Sequence, residues 1–368
     1  MSNETLTRRH FVAGLATVGA AVTVAGAGET IAAPEQVAVT SYPVAVVKAP
    51  SGPVRTLCVE RLTPDEVEKI KGAGKNIDLV LATDPAETPG KAAEAEVILG
   101  RASRDAILAA KKLKWVQTWE AGVDALPREL MTHPCVLTNM QRVFAPVIAE
   151  SFFGLLLSLT RGLAQSSIPK FREKLWKRDD TPLEDIHGKT LGIVGLGGIG
   201  TEVARRAYYG FNMKVLAVDP KPLPRPEFVA ELREAEWVHE MVPQVDVLLG
   251  AAPLTDLTRK MFNEALFRRM KPTAYFINVS RGGLVDQEAL VKALQGKWIR
   301  GAGLDVTSPE PLPPEHALWQ CSNLVITPHT SGFAPVRQVR LIALVAENVR
   351  RYSLGLPLLN VVDKVRGY

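Results

Sequence analysis

The run Gly195-Leu196-Gly197-Gly198-Ile199-Gly200 constrains the fold more than any other feature of this 368-residue chain. It follows an apolar stretch, Leu191-Gly192-Ile193-Val194, and opens a helical one that reaches about Tyr209. A glycine-rich turn between strand and helix aims free backbone N–H groups and the positive helix end at an anion. Gly195 suits the tight turn, Gly197 lets the backbone approach a pyrophosphate, and Gly200 lets helix and strand pack closely.

Around this motif, short apolar strands alternate with helical stretches. Residues 57–62, 78–83, 95–100, 114–119 and 135–139 read as strands, with helices over 63–72 and 103–112. Thr63-Pro64-Asp65-Glu66 puts a cap, a first-turn proline and a capping-box acid in order. A long apolar helix, 146–162, leads into a second series of strands at 191–195, 214–219, 245–251, 274–280, 303–306 and 324–327. A helix over 335–352 follows. Such alternation predicts an α/β chain with two doubly wound parallel-sheet domains. The first occupies 44–141 and is completed by 334–368; a Rossmann-type domain, 142–333, is inserted into it.

Asp219 ends the strand after the glycine run, Val215-Leu216-Ala217-Val218. A carboxylate there takes both ribose hydroxyls of NAD and repels the 2′-phosphate of NADP. NAD is therefore favoured as the cofactor. Lys221 and Arg225 lie close by in sequence and leave NADP open.

Three further strand ends carry groups suited to reduction of a carbonyl. Arg281 follows Phe276-Ile277-Asn278-Val279-Ser280, where a guanidinium can grip a carboxylate with two parallel hydrogen bonds. His329 follows Val325-Ile326-Thr327-Pro328 and is a candidate proton donor. Glu310, in Ser308-Pro309-Glu310-Pro311, could bond to that imidazole and favour its protonated form. His316 is the nearest rival histidine, but it heads an apolar segment and reads as structural.

Net charge is +5, with the basic residues scattered rather than gathered on one face, which argues against nucleic acid as a partner. Cys58, Cys135 and Cys321 lie far apart without CxxC spacing, so neither a metal site nor a disulfide framework is expected, and Cys58 reads as core. At the N-terminus, Arg8-Arg9 precede an uncharged stretch from Phe11 and then Ala25-Gly26-Ala27. That order fits a twin-arginine export signal and linker over 1–33, implying a periplasmic or exported protein and the twin-arginine machinery as a partner. A frayed tail on a cytoplasmic enzyme and a permanent span are the competing readings.

Taken together, these motifs resemble the D-isomer-specific 2-hydroxyacid dehydrogenases. The likeness rests on Leu191–Gly200, Asn278–Asp286, Gly301–Val306, Glu310–Pro313 and Thr327–His329. The resemblance implies that Arg281 binds substrate, His329 does acid/base work and Glu310 supports it. It also implies that Gly198, Ile199 and Asp219 hold pyrophosphate and ribose, and that Asp305 meets the nicotinamide carboxamide. Ala252, Val279, Ser280 and Gly332 would line the cleft. The backbone N–H groups of Gly122 and Val123, in Ala121–Asp124, would bind the substrate carboxylate.

Two positions depart from the family pattern. Glu120 stands where a small residue is common and would disfavour dianionic substrates; Arg142 either reaches the cleft or pairs at the domain junction. The stretch after His329 leaves little room for an appended regulatory domain. Glu310 argues against the formate dehydrogenase branch, which pairs its histidine with glutamine. The resemblance further implies a homodimer formed through the cofactor domain. The expected activity is NAD-linked interconversion of a small 2-keto acid and its D-2-hydroxy acid. A non-catalytic NAD-sensing protein on the same scaffold is the alternative.

Overall fold

The computed structural model describes residues 48–368. The expected export signal and linker, 1–33, lie outside the described residues. Five strands form the first sheet: β1 Val54–Cys58, β2 Ile77–Leu81, β3 Val97–Leu99, β4 Trp115–Gln117 and β5 Val136–Thr138. Their order is β2-β1-β3-β4-β5 and every pairing is parallel. Seven strands form the second: β6 Thr190–Val194, β7 Lys214–Val218, β8 Glu231–Arg233, β9 Val247–Gly250, β10 Tyr275–Asn278, β11 Gly301–Leu304 and β12 Leu324–Ile326. Their order is β12-β11-β10-β9-β6-β7-β8, again all parallel. The chain reverses its winding direction between β6 and β9. In open α/β sheets a ligand crevice lies outside the strand ends at such a switch point.

Each sheet is covered on both faces, which is why its strands read as unbroken apolar runs. Along β7, Val215 and Ala217 enter one core cluster while Leu216 and Val218 enter the opposite one. In the first sheet, Leu57, Ile98 and Val116 face one cluster, and Cys58, Val97, Leu99 and Trp115 the other. The helix Arg337–Ser353 packs on that second face, where the Tyr352 ring stacks on Trp115 at 5.2 Å. The helix Ala145–Thr160 links the two series and buries Phe152, Leu155, Leu156 and Leu159 against the seven-stranded sheet. Among the described residues no single helix is long and apolar enough to cross a membrane.

Local signals mark some boundaries well. The helix Pro64–Lys71 carries the expected capping box: the Glu66 amide donates to Thr63 Oγ1, and the Thr63 amide donates to Glu66 Oε2 at 2.8 Å. Other boundaries move. β1 begins three residues before the expected 57, because Arg55 and Thr56 interrupt the apolar run while pairing with β2 carries the strand back to Val54. β8 and the helix Gln287–Gln295 were not expected. β8 is a short polar edge strand that lacks an apolar run. All three cysteines are free and buried, and Cys58 belongs to the core.

Candidate active site and cofactor crevice

The glycine run forms the predicted strand–turn–helix. Gly195 follows β6 with φ +97°, a conformation that side chains rarely adopt. The helix Gly198–Phe211 starts beside it, with Gly197 at its N-cap. A Cβ on Gly200 would fall 2.2 Å from the Gly195 carbonyl oxygen, so helix and strand could not close on any larger residue. A Cβ on Gly197 would meet nothing within 4 Å, leaving its backbone open toward an incoming anion.

Asp219 lies at the end of β7, 9% exposed. One carboxylate oxygen accepts the Leu196 amide from within the glycine run, and the other accepts the Lys221 amide, each at 2.9 Å. Burial pushes its carboxyl above the ordinary aspartate range, against the pull of those two amides and the Lys221 ammonium. The carboxylate thus ties the glycine-rich turn to the end of β7. Arg142 has φ +72°, and its Cα lies 2.9 Å from where a Gly198 Cβ would stand. It is therefore packed on the N-terminus of the nucleotide helix, at the junction of the two α/β layers.

Three expected cleft residues turn little toward an open space: Ala252 and Val279 belong to the core, and the Ser280 hydroxyl donates to Asn278 Oδ1. Any share they have in the crevice is a backbone share.

The segments that bear the three chemical side chains meet at Thr307. His329 Nδ1 and Glu310 Oε2 are 2.7 Å apart, and Glu310 Oε1 accepts the Thr307 amide at 3.0 Å. Gly282, next to Arg281, abuts Thr307 so closely that a Cβ there would lie 1.9 Å from its carbonyl oxygen. The turn bearing Arg281 and the loop bearing the His–Glu pair therefore form one packed surface. His329 has φ +53°, a left-handed conformation costing on the order of 1 kcal/mol or more for a residue with a side chain. Its amide donates to the carbonyls of Asp305 (2.8 Å) and Thr327 (3.0 Å), which hold it there. The imidazole remains half exposed, with 51% of the side chain accessible.

Asp305 is 1% exposed, and its carboxylate accepts the Thr327 hydroxyl at 2.6 Å and the amides of Thr330 and Ser331. These bonds make it the brace of the His329 loop, so a carboxamide contact would be additional to this role. His316 caps the helix Ala317–Gln320, its Nδ1 accepting the Leu318 amide.

Arg281 reaches across to the first sheet. Its Nε donates to both oxygens of Asp124, at 3.0 and 3.2 Å, and Nη1 donates to the Ser280 carbonyl. A Cβ on Gly122 would lie 1.8 Å from Arg281 Nη2, so the guanidinium rests directly on the Ala121–Asp124 loop. Sequence reasoning missed the pairing with Asp124, since no local pattern marks a partner 157 positions away. Thr118 donates a hydrogen bond to Glu120, and Arg101 Nε lies 3.8 Å from the same carboxylate, so the charge expected to repel dianions is partly offset.

A parallel sheet with a dinucleotide turn at its switch point, facing a cation and an imidazole–carboxylate pair, defines a nucleotide-dependent oxidoreductase. Residues 153–331 match the family described as D-isomer specific 2-hydroxyacid dehydrogenase, NAD binding domain. A glyoxylate reductase of Korarchaeum cryptofilum is 37% identical over 263 residues, covering 70% of this chain and 78% of that one. A D-isomer specific 2-hydroxyacid dehydrogenase of Xanthobacter autotrophicus, solved with NADPH and MES, superposes with a TM-score of 0.73. Its sequence is 26% identical, with 87% of this chain and 100% of that chain covered. An NADPH-dependent glyoxylate/hydroxypyruvate reductase of Sinorhizobium meliloti, solved with NADP and sulfate, gives 0.70 at 27% identity, covering 86% and 100%. This chain belongs to the D-isomer-specific 2-hydroxyacid dehydrogenase family, and its seven-stranded domain is the family's NAD(P)-binding domain.

Proposed function

We propose that the protein reduces a small 2-keto acid, of the size of glyoxylate or hydroxypyruvate, to the 2-hydroxy acid with NADH. The observation that carries this reading is the His329–Glu310 pair, 2.7 Å apart and joined through Thr307 to the turn that holds Arg281. The Arg281 guanidinium and the amides of Gly122 and Val123 hold the substrate carboxylate between them. NADH, when bound, supplies a hydride to C2. His329 delivers the proton to the resulting alkoxide oxygen, and Glu310 offsets the positive charge of the ring before that transfer. Asp219 takes the adenosine ribose hydroxyls, which favours NADH over NADPH. Closure of the two layers would exclude water from the reacting centre.

The test is NADH oxidation with glyoxylate, hydroxypyruvate, pyruvate and bulkier 2-keto acids. Turnover of at least one small keto acid is expected. Silence across the panel with clear NADH binding would instead favour a non-catalytic nucleotide sensor.

Assembly as a homodimer has its own support. Phe171 and Trp176 are 83% and 103% exposed, and Leu175 and Leu183 are also open, within the stretch matched to the cofactor domain. Apolar side chains gathered this way favour burial against a second copy. Light scattering showing a monomer would reject that assembly.

A further inference from the structure

Residues 361–368 run from one sheet to the other. Val361 bridges Thr138 of β5, and the Val362 amide donates to the Leu137 carbonyl at 2.8 Å. Lys364 Nζ donates to the carbonyls of His133 and Cys135, pinning the segment to the first sheet. Asp363 then closes a tight turn: its Oδ1 accepts the amides of Val365 and Arg366, and its carbonyl accepts that of Gly367. The far side of this turn lies on the nucleotide domain. A Gly367 Cβ would stand 3.8 Å from Thr255 Cγ2, and Lys221 Nζ lies 4.3 Å from the centroid of the Tyr368 ring. Thr255 follows β9 and Lys221 follows β7, the two strands flanking β6. The segment is thus a strap across the crevice at its adenosine end.

Lys221 is only 7% exposed and sits two residues from Asp219. Its ammonium is the kind of group a 2′-phosphate would seek. The face of an aromatic ring attracts that same ammonium. We propose that Tyr368 selects the cofactor: its ring engages Lys221 and withholds it from a 2′-phosphate, leaving the Asp219 carboxylate to face the ribose edge. This rests on the assignment of Asp219 to the adenosine ribose.

The proposal is read from the ratio of NADPH to NADH dissociation constants, measured by fluorescence titration of the full chain. Tyr368→Ala should move that ratio toward NADPH by about fivefold or more. Tyr368→Phe, which keeps the ring, should hold the wild-type ratio. Adding Lys221→Gln to Tyr368→Ala should restore it. A strap that merely fills space acts on both cofactors alike, so equal changes in the two affinities overturn the proposal. An equal shift in Tyr368→Phe and Tyr368→Ala also overturns it, because the hydroxyl would then be responsible. A wild-type preference for NADPH overturns the Asp219 reading alone. The strap is still judged by the shift relative to wild type.

Discussion

His329→Ala should lower the rate of keto-acid reduction by about 10²–10⁴-fold, the range expected for losing a positioned general acid. NADH affinity should stay within about twofold if, as proposed, the imidazole meets substrate rather than nucleotide. The Asp305 brace acts mainly on the loop backbone and on Thr327, so the alanine variant retains its fold. Glu310→Gln gives the graded version of the same experiment. Reduction requires a protonated ring, and an amide offsets its charge less than a carboxylate does. Turnover should therefore fall, by less than in His329→Ala, with NADH affinity unchanged. Steady-state kinetics with parallel NADH titration checks both. Equal loss of turnover and nucleotide binding in His329→Ala would make the histidine structural.

Arg281→Met should reduce kcat/KM by about 10²–10³ if, as proposed, two charge-assisted hydrogen bonds to the substrate carboxylate go with the guanidinium. Most of the loss should appear in KM if the clamp holds ground state and transition state alike, and in kcat if it orients the carbonyl for attack. Arg281→Lys keeps the charge without the planar fork and should fall between wild type and Arg281→Met. Arg281 already donates to Asp124, so the ion pair fixes the guanidinium over the Gly122 backbone before substrate arrives. A loss of less than about tenfold in Arg281→Met would make Arg281 a tether between the sheets rather than a clamp.

The elements legible in the sequence are those whose physics is local. Thr63 and Glu66 cap a helix within one turn. Gly195 to Gly200 must turn and pack within six positions. The apolar strands between helices require parallel pairing. β8 was invisible because Glu231-Leu232-Arg233 carries no apolar run, and its place depends on the edge of β7. The start of β1 was misplaced because Arg55 and Thr56 break the apolar run, and the strand's true start is set by its pairing with β2. Asp305 was read through resemblance as a cofactor contact; the fold also shows it holding the His329 loop.

From sequence alone came the doubly wound class, the nucleotide turn, and Arg281, Glu310 and His329 as candidates for chemistry, because short-range sterics and strand-end placement are written in neighbouring residues. Only the tertiary structure decided that Arg281 leans on Gly122 and binds Asp124, that Thr307 joins its turn to the His–Glu pair, and that Tyr368 covers Lys221. Those contacts join residues far apart in the chain. Their free energy exists only once both sheets have formed and the last strap has crossed between them.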